Sequence, residues 1–153
     1  MVQYKVPLLA QEKSMCCWHT SAMMIWMYWQ TVSGRQGPMN TLAPVYSGNT
    51  GLDPTPQALI TLAKTVGMMP LASQASYDAP EVEGLLNHFG PLWCAGYWYG
   101  FGHCIVLTGI DSGVLTLNDP DGGVEKTGTL AWFNNKLAKS LAGCTMCKDP
   151  DAY

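Results

Sequence analysis

The sequence predicts an α+β fold in which helices come first and antiparallel strands follow. Three observations carry this. An almost unbroken apolar run opens at Cys17 and reaches about Gln30. Two later stretches, near 55–66 and 78–89, combine apolar stripes at helical spacing with start and stop signals. Strand-like runs then occupy 91–98, 104–110 and 114–118, the last two joined by Asp111-Ser112-Gly113, a turn signal.

Val2 to Leu9 reads as an extended lead-in carrying Pro7. The first helix has Trp18, Ala22, Ile25, Trp26 and Trp29 on one face and Met23, Met24, Met27 and Tyr28 on others. A helix apolar all round is a buried central helix. Ser33 to Asp53 is rich in Gly, Pro, Asn and Ser and has no clear period. At about twenty residues it is long for a structureless connection, so it either hides a short helix or is functional, with a plain surface loop as the competing reading. The second helix, Thr55 to Val66, takes Pro56 in its first turn, aligns Leu59, Leu62, Ala63 and Val66, and ends at Gly67. The third follows Asp78, which has capping-box spacing to Glu81. Val82, Leu85, Leu86 and Phe89 form its stripe and Gly90 ends it. After Pro120-Asp-Gly-Gly the pattern weakens, and Leu130 to Leu141 is expected to form a final helix. No repeat or internal boundary is visible, so residues 1–153 read as one domain.

Charged residues make up 12% of the 153, about half the usual share. Six Trp, seven Tyr and nine Met leave a surface suited to contact with another protein, and a net charge of −3 argues against nucleic acid as a partner. The first ten residues lack a basic then apolar leader, and the run from Met15 to Trp29 is too short to span a bilayer. A soluble protein with no address of its own is expected. If it leaves its cell, another system carries it. Six cysteines would allow three disulfides, but Cys16 and Cys17 are adjacent and Cys94 and Cys104 sit in strand-like runs, so reduced thiols are favoured.

The chemistry centres on the stretch QEKSMCCW, residues 11–18. A thiol at a helix N-terminus is stabilised as thiolate by the helix dipole and unpaired N–H groups. Gln11 precedes Cys17 by a short polar loop that can fold back and aim an amide at the same point, as an oxyanion hole requires. Farther on, a turn centred near Asp111 would set His103 directly opposite Asp119, within reach for a carboxylate to orient an imidazole. A register shift of one residue would present Asn118, and a wider turn Asp121, so spacing leaves the orienting residue open. Taken singly, a cysteine at a helix start is usually buried and inert, and a histidine near a strand end is usually structural. It is their joint occurrence that points to a site.

QEKSMCCW together with GHCIVLTGIDSGVLTLNDPDGG, residues 102–123, resembles the papain-like cysteine peptidases. The likeness is strongest to two compact bacterial branches: avirulence proteases delivered into plant cells, and peptidases that process double-glycine leaders during bacteriocin export. It covers roughly Val6 to Gly123 and implies a papain-like fold. It further implies Cys17 as nucleophile, His103 as general base and acid, Asp119 as orienter, and Gln11 with the Cys17 backbone N–H in the oxyanion hole. Cys16 and His19 depart from the pattern. The Gln spacing and the following Trp select Cys17, so Cys16 is expected to face the core or the loop. His19 is expected to point away from Cys17.

Such a site would perform acyl transfer on a protein or peptide substrate. Substrate walls are expected from the glycine-separated aromatics of residues 96–102, with Trp98 and Tyr99 as substrate-binding residues; simple packing of Tyr97 and Phe101 is the competing reading. Neither a cofactor nor a metal is expected, and Cys144-Thr-Met-Cys147 reads as incidental or disulfide-forming thiols. The resemblance implies cleavage after small residues such as Gly-Gly. It also suggests a monomeric antibacterial effector toxin that acts in another cell's cytoplasm and is restrained at home by an immunity protein. A deamidase, a peptidoglycan amidohydrolase, a non-enzymatic binding module and a cysteine-rich metal or redox protein are the alternatives.

Overall fold

The computed structural model describes residues 1–35 and 55–153; the expected loop between Ser33 and Asp53 lies almost entirely outside them. The architecture is α+β, as expected. Among the described residues its centre is a seven-stranded antiparallel sheet. The strands are β1 (Val2–Gln3), β2 (Met68–Pro70), β3 (Leu92–Gly96), β4 (His103–Asp111), β5 (Val114–Asp119), β6 (Val124–Thr129) and β7 (Thr145–Lys148). They lie in the order β2-β7-β3-β4-β5-β6, and β1 pairs with the far end of β4. Gly109 permits that pairing. A Cβ there would lie 2.6 Å from the Val2 carbonyl oxygen, so only a residue without one lets the two backbones approach.

Helix α1 (Cys17–Ser33) packs on β3 and β4 and holds the core together. Met24 and Ile25 are fully buried, and a side chain the size of Ile25 contributes about 1.5–3 kcal/mol when so buried. Two hydrogen bonds fix the helix to the sheet: Ser21 Oγ donates to the Cys104 carbonyl at 3.3 Å, and Trp93 Nε1 donates to the Trp18 carbonyl at 3.0 Å. Gly34 ends α1 in the left-handed conformation. Helix α2 (Pro56–Val66) has Thr55 as N-cap, accepting from the Ala58 N–H, and Gly67 as its left-handed cap. Helix α3 (Ala79–Phe89) carries the full Asp78–Glu81 capping box.

The end of the chain differs from expectation. Helix α4 spans only Leu130–Lys136, because Leu137 turns extended and bridges to Gly96. The residues beyond it close back into β7. Strand β6, VEKTGT, was not legible as a strand. It is one of the two outer strands in that order, mostly exposed, and carries no apolar alternation. Strand β7 is only four residues long and borrows its pairing from β2 and β3 on either side.

The β4–β5 hairpin also departs from the expected register. Asp111 pairs with Val114, so the turn is the two residues Ser112 and Gly113, both at positive φ. That register, continued, would set Asp119 opposite Val106, on the face of the sheet away from His103. A bulge at Thr108 removes one residue from the count, so that Val106 pairs with Asn118 instead. His103 and Asp119 thereby point to the same face, offset along the strands rather than directly opposed.

Candidate active site

Cys17 is the first residue of α1. No acidic residue lies in the first turn and no side chain caps it, so nothing there offsets the positive end of the helix dipole. Cys17 is partly exposed, whereas Cys16 is buried at 7% exposure, as the sequence suggested. His103 opens β4 opposite Gly96 and is 6% exposed. Its Nε2 meets Asp119 Oδ1 at 2.6 Å, which leaves Nδ1 for the thiol side. The side chains of His103 and Cys104 are the groups that act on the Cys17 thiol.

These contacts set the charges. The Cys17 thiol is pushed down to about 5: the hydrogen bond from Cys104 contributes most, burial opposes it, and the His103 hydrogen bond and charge add to the lowering. For His103 burial is the largest single influence and would lower its pKa. The hydrogen bonds it donates to Asp119 and Cys17, with the charges of both, outweigh that and raise it to about 9. Asp119 is completely buried, which alone would raise its pKa; hydrogen bonds from His103, Lys126 and the Asp121 backbone N–H hold it below the ordinary carboxylate value. Between roughly pH 5 and 9 the stable form is therefore a thiolate beside an imidazolium.

Asp119, not Asn118 or Asp121, reaches His103. Asn118 points to the other face, where its amide donates to the Val6 carbonyl at 3.2 Å. Asp121 contributes only its backbone N–H, 2.9 Å from Asp119 Oδ1. Lys126, on the strand not foreseen, donates to Asp119 Oδ2 at 2.8 Å. Its only sequence signal was a lysine seven positions after the aspartate, which is uninformative without the strand pairing.

Gln11 stands on the loop that leads into Cys17. Its Nε2 donates to the carbonyls of Lys13 and Ser14, both at 2.9 Å, and so shapes the loop that leads into α1. The aromatic segment after β3 also differs from expectation. Trp98 is 1% exposed and packs against Trp132 and Phe133, so it is core, not a substrate wall. Tyr97 and Phe101, which sequence alone left as candidates for packing, are more than half exposed. They line a cavity of about 280 Å³ that opens beside Cys17 and His103, with Met15, Leu59 and Leu141 among its other walls. Tyr99 is not part of that lining; its ring centroid lies 6.4 Å from the imidazole.

All six cysteines are free thiols. Cys94 and Cys147 are raised to well above neutral pKa values by burial and stay protonated. Among the described residues no cluster of three or more His, Cys, Asp or Glu side chains could hold a metal, and no helix is long and apolar enough to cross a membrane.

Two comparisons place the chain among known proteins. Residues 1–138 match the family model of the papain-like cysteine protease AvrRpt2. The fold is similar to the crystal structure of a double glycine motif protease from an AMS/PCAT transporter in complex with the leader peptide. That match has a TM-score of 0.62 at 18% identity and covers 95% of this chain and 92% of the other. No curated protein matches the sequence.

Proposed function

The chain belongs to the family of the papain-like cysteine protease AvrRpt2, and we propose that it is an endopeptidase with Cys17 as nucleophile, His103 as general base and acid, and Asp119 as orienter. One observation supports this above all. A thiol at a helix N-terminus, an imidazole and a buried carboxylate are linked in series at the mouth of an apolar cavity. In this reading the Cys17 thiolate attacks the scissile carbonyl carbon, and the His103 imidazolium gives its proton to the departing amine. Neutral His103 then takes a proton from water as it attacks the thioester, and the acid product leaves with the thiolate restored. The Cys17 backbone N–H is one oxyanion donor. Gln11 is the second only once one of its N–H groups is released from the Lys13 or Ser14 carbonyl.

The cavity walls favour a peptide with an apolar side chain near the cleavage point. A preference for small residues such as Gly-Gly at the bond itself rests on the likeness to the double glycine motif protease. The test is to incubate wild type, Cys17→Ala and His103→Ala with a proteome-derived peptide mixture and sequence the new termini by mass spectrometry. New termini with wild type alone, enriched after small residues, are the expected result. Wild type producing none, or Cys17→Ala producing as many, overturns the reading. Side-chain deamidation in the same mixture, or muropeptides released from peptidoglycan, would move the activity to another amide bond.

The setting we propose is a monomeric effector toxin delivered into a rival bacterium's cytoplasm and neutralised at home by an immunity protein. Bacterial expression should then be toxic for wild type and harmless for Cys17→Ala. A healthy strain holding soluble, active wild type would refute it.

A further inference from the structure

Both oxygens of Asp119 are held. Oδ1 accepts from His103 Nε2 at 2.6 Å and from the Asp121 backbone N–H at 2.9 Å; Oδ2 accepts from Lys126 Nζ at 2.8 Å. A carboxylate gripped at one oxygen can turn about its last bond or hydrate at the other. Lys126 opposes both. Its placement is set by pairing: Lys126 lies opposite Leu117 and Val124 opposite Asp119, so Lys126 and Asp119 share one face of the sheet. The ammonium also sits 4.1 Å from the centroid of the Tyr99 ring, which itself leans on Trp132 at 6.1 Å. Only 36% of the lysine side chain is exposed. It is held between a carboxylate and an aromatic wall, unlike an ordinary surface lysine.

We propose that Lys126 is a positioning residue for the His103–Asp119 pair, fixing the carboxylate and moderating the negative charge it presents to the imidazole. This rests on the endopeptidase reading above. His103 must release its proton in the first half of the reaction and accept one in the second. An uncompensated buried aspartate would hold the imidazolium too firmly for the first of these. A lysine on the opposite oxygen shares the charge and leaves the orientation intact. The titratable groups facing this unit are Cys17 from α1, Cys104 from β4, Tyr99 from the segment after β3, and Lys126 itself from β6; Asp121 adds only its backbone N–H.

The test uses the full chain as wild type, Lys126→Met, Lys126→Gln and Lys126→Arg. The rate of Cys17 alkylation by iodoacetamide is followed against pH, and His103 is titrated by NMR. In Lys126→Met and Lys126→Gln the alkaline limb and the His103 titration should move up by about half a unit to one unit, since a positive charge near the imidazole has gone. Lys126→Arg should restore both. A lysine that serves stability alone would change the melting temperature and leave both curves in place, which would overturn the proposal. A wild type with no depressed Cys17 titration would instead refute the ion pair, and with it the reading on which this inference rests.

Discussion

Replacing Asp119 by Asn should narrow the pH range of the ion pair from its alkaline side. The substitution keeps the shape and removes the charge. Asp119 now accepts three hydrogen bonds, from His103, Lys126 and the Asp121 N–H, and an amide nitrogen in place of one oxygen would face a donor. The Asp119 hydrogen bond is the strongest influence raising His103 to about 9, whereas burial pulls it down from 6.5. With the carboxylate gone, burial is opposed only by the Cys17 contacts, and the imidazole should titrate near its ordinary value of about 6.5. At pH 7.5 the imidazolium share would fall from about 97% to about 10%, and the loss of orientation would add to that, so peptide cleavage, which needs the imidazolium proton, should drop roughly 10- to 100-fold. The shift corresponds to about 3 kcal/mol of imidazolium stabilisation. The assay is the rate of Cys17 alkylation between pH 4 and pH 10, resolved by cysteine with mass spectrometry, beside the NMR titration of His103. An alkaline limb still near 9 in Asp119→Asn would show that the carboxylate is not what holds the proton on His103. The sign is opposite to that expected for Lys126→Met, so the two variants together separate loss of the carboxylate from loss of its partner.

Cys104→Ala should move the acid limb of Cys17 alkylation up by about one unit and leave the alkaline limb in place, because it removes the largest cause of the lowered Cys17 pKa; a limb that stays near 5 would refute the thiol's part. Cys16→Ala should keep alkylation and cleavage within about twofold of wild type, as a buried Cys behaves as a small hydrophobe; loss of the fast-labelling thiol would reassign the nucleophile. Gly109→Ala should cost about 1–3 kcal/mol in urea unfolding, because its Cβ would meet the Val2 carbonyl oxygen and β1 would have to shift. An unchanged midpoint would mean that β1 adds nothing to stability.

Local signals were enough for the first three helices. Pro56 and Gly67 bound α2, Asp78 and Glu81 open α3, and the greasy run from Cys17 is the buried central helix, because caps and periodicity act over a few residues. The thiol, the histidine and the pair Asn118-Asp119 were singled out in the same way, from residue types at the ends of recognisable elements. Tertiary structure decided the rest. Nothing in LTGID announces that Thr108 bulges, yet the bulge is what turns Asp119 rather than Asn118 toward His103. Strand β6 has too little apolar character to be read as a strand, yet its pairing brings Lys126 to Asp119. Trp98 and Tyr97 are adjacent aromatics of similar kind, and only the packing of α4 buries one and leaves the other at the cavity. A sequence records what each short stretch prefers. Which face a side chain takes is set by partners far along the chain, and a one-residue change of register reverses it.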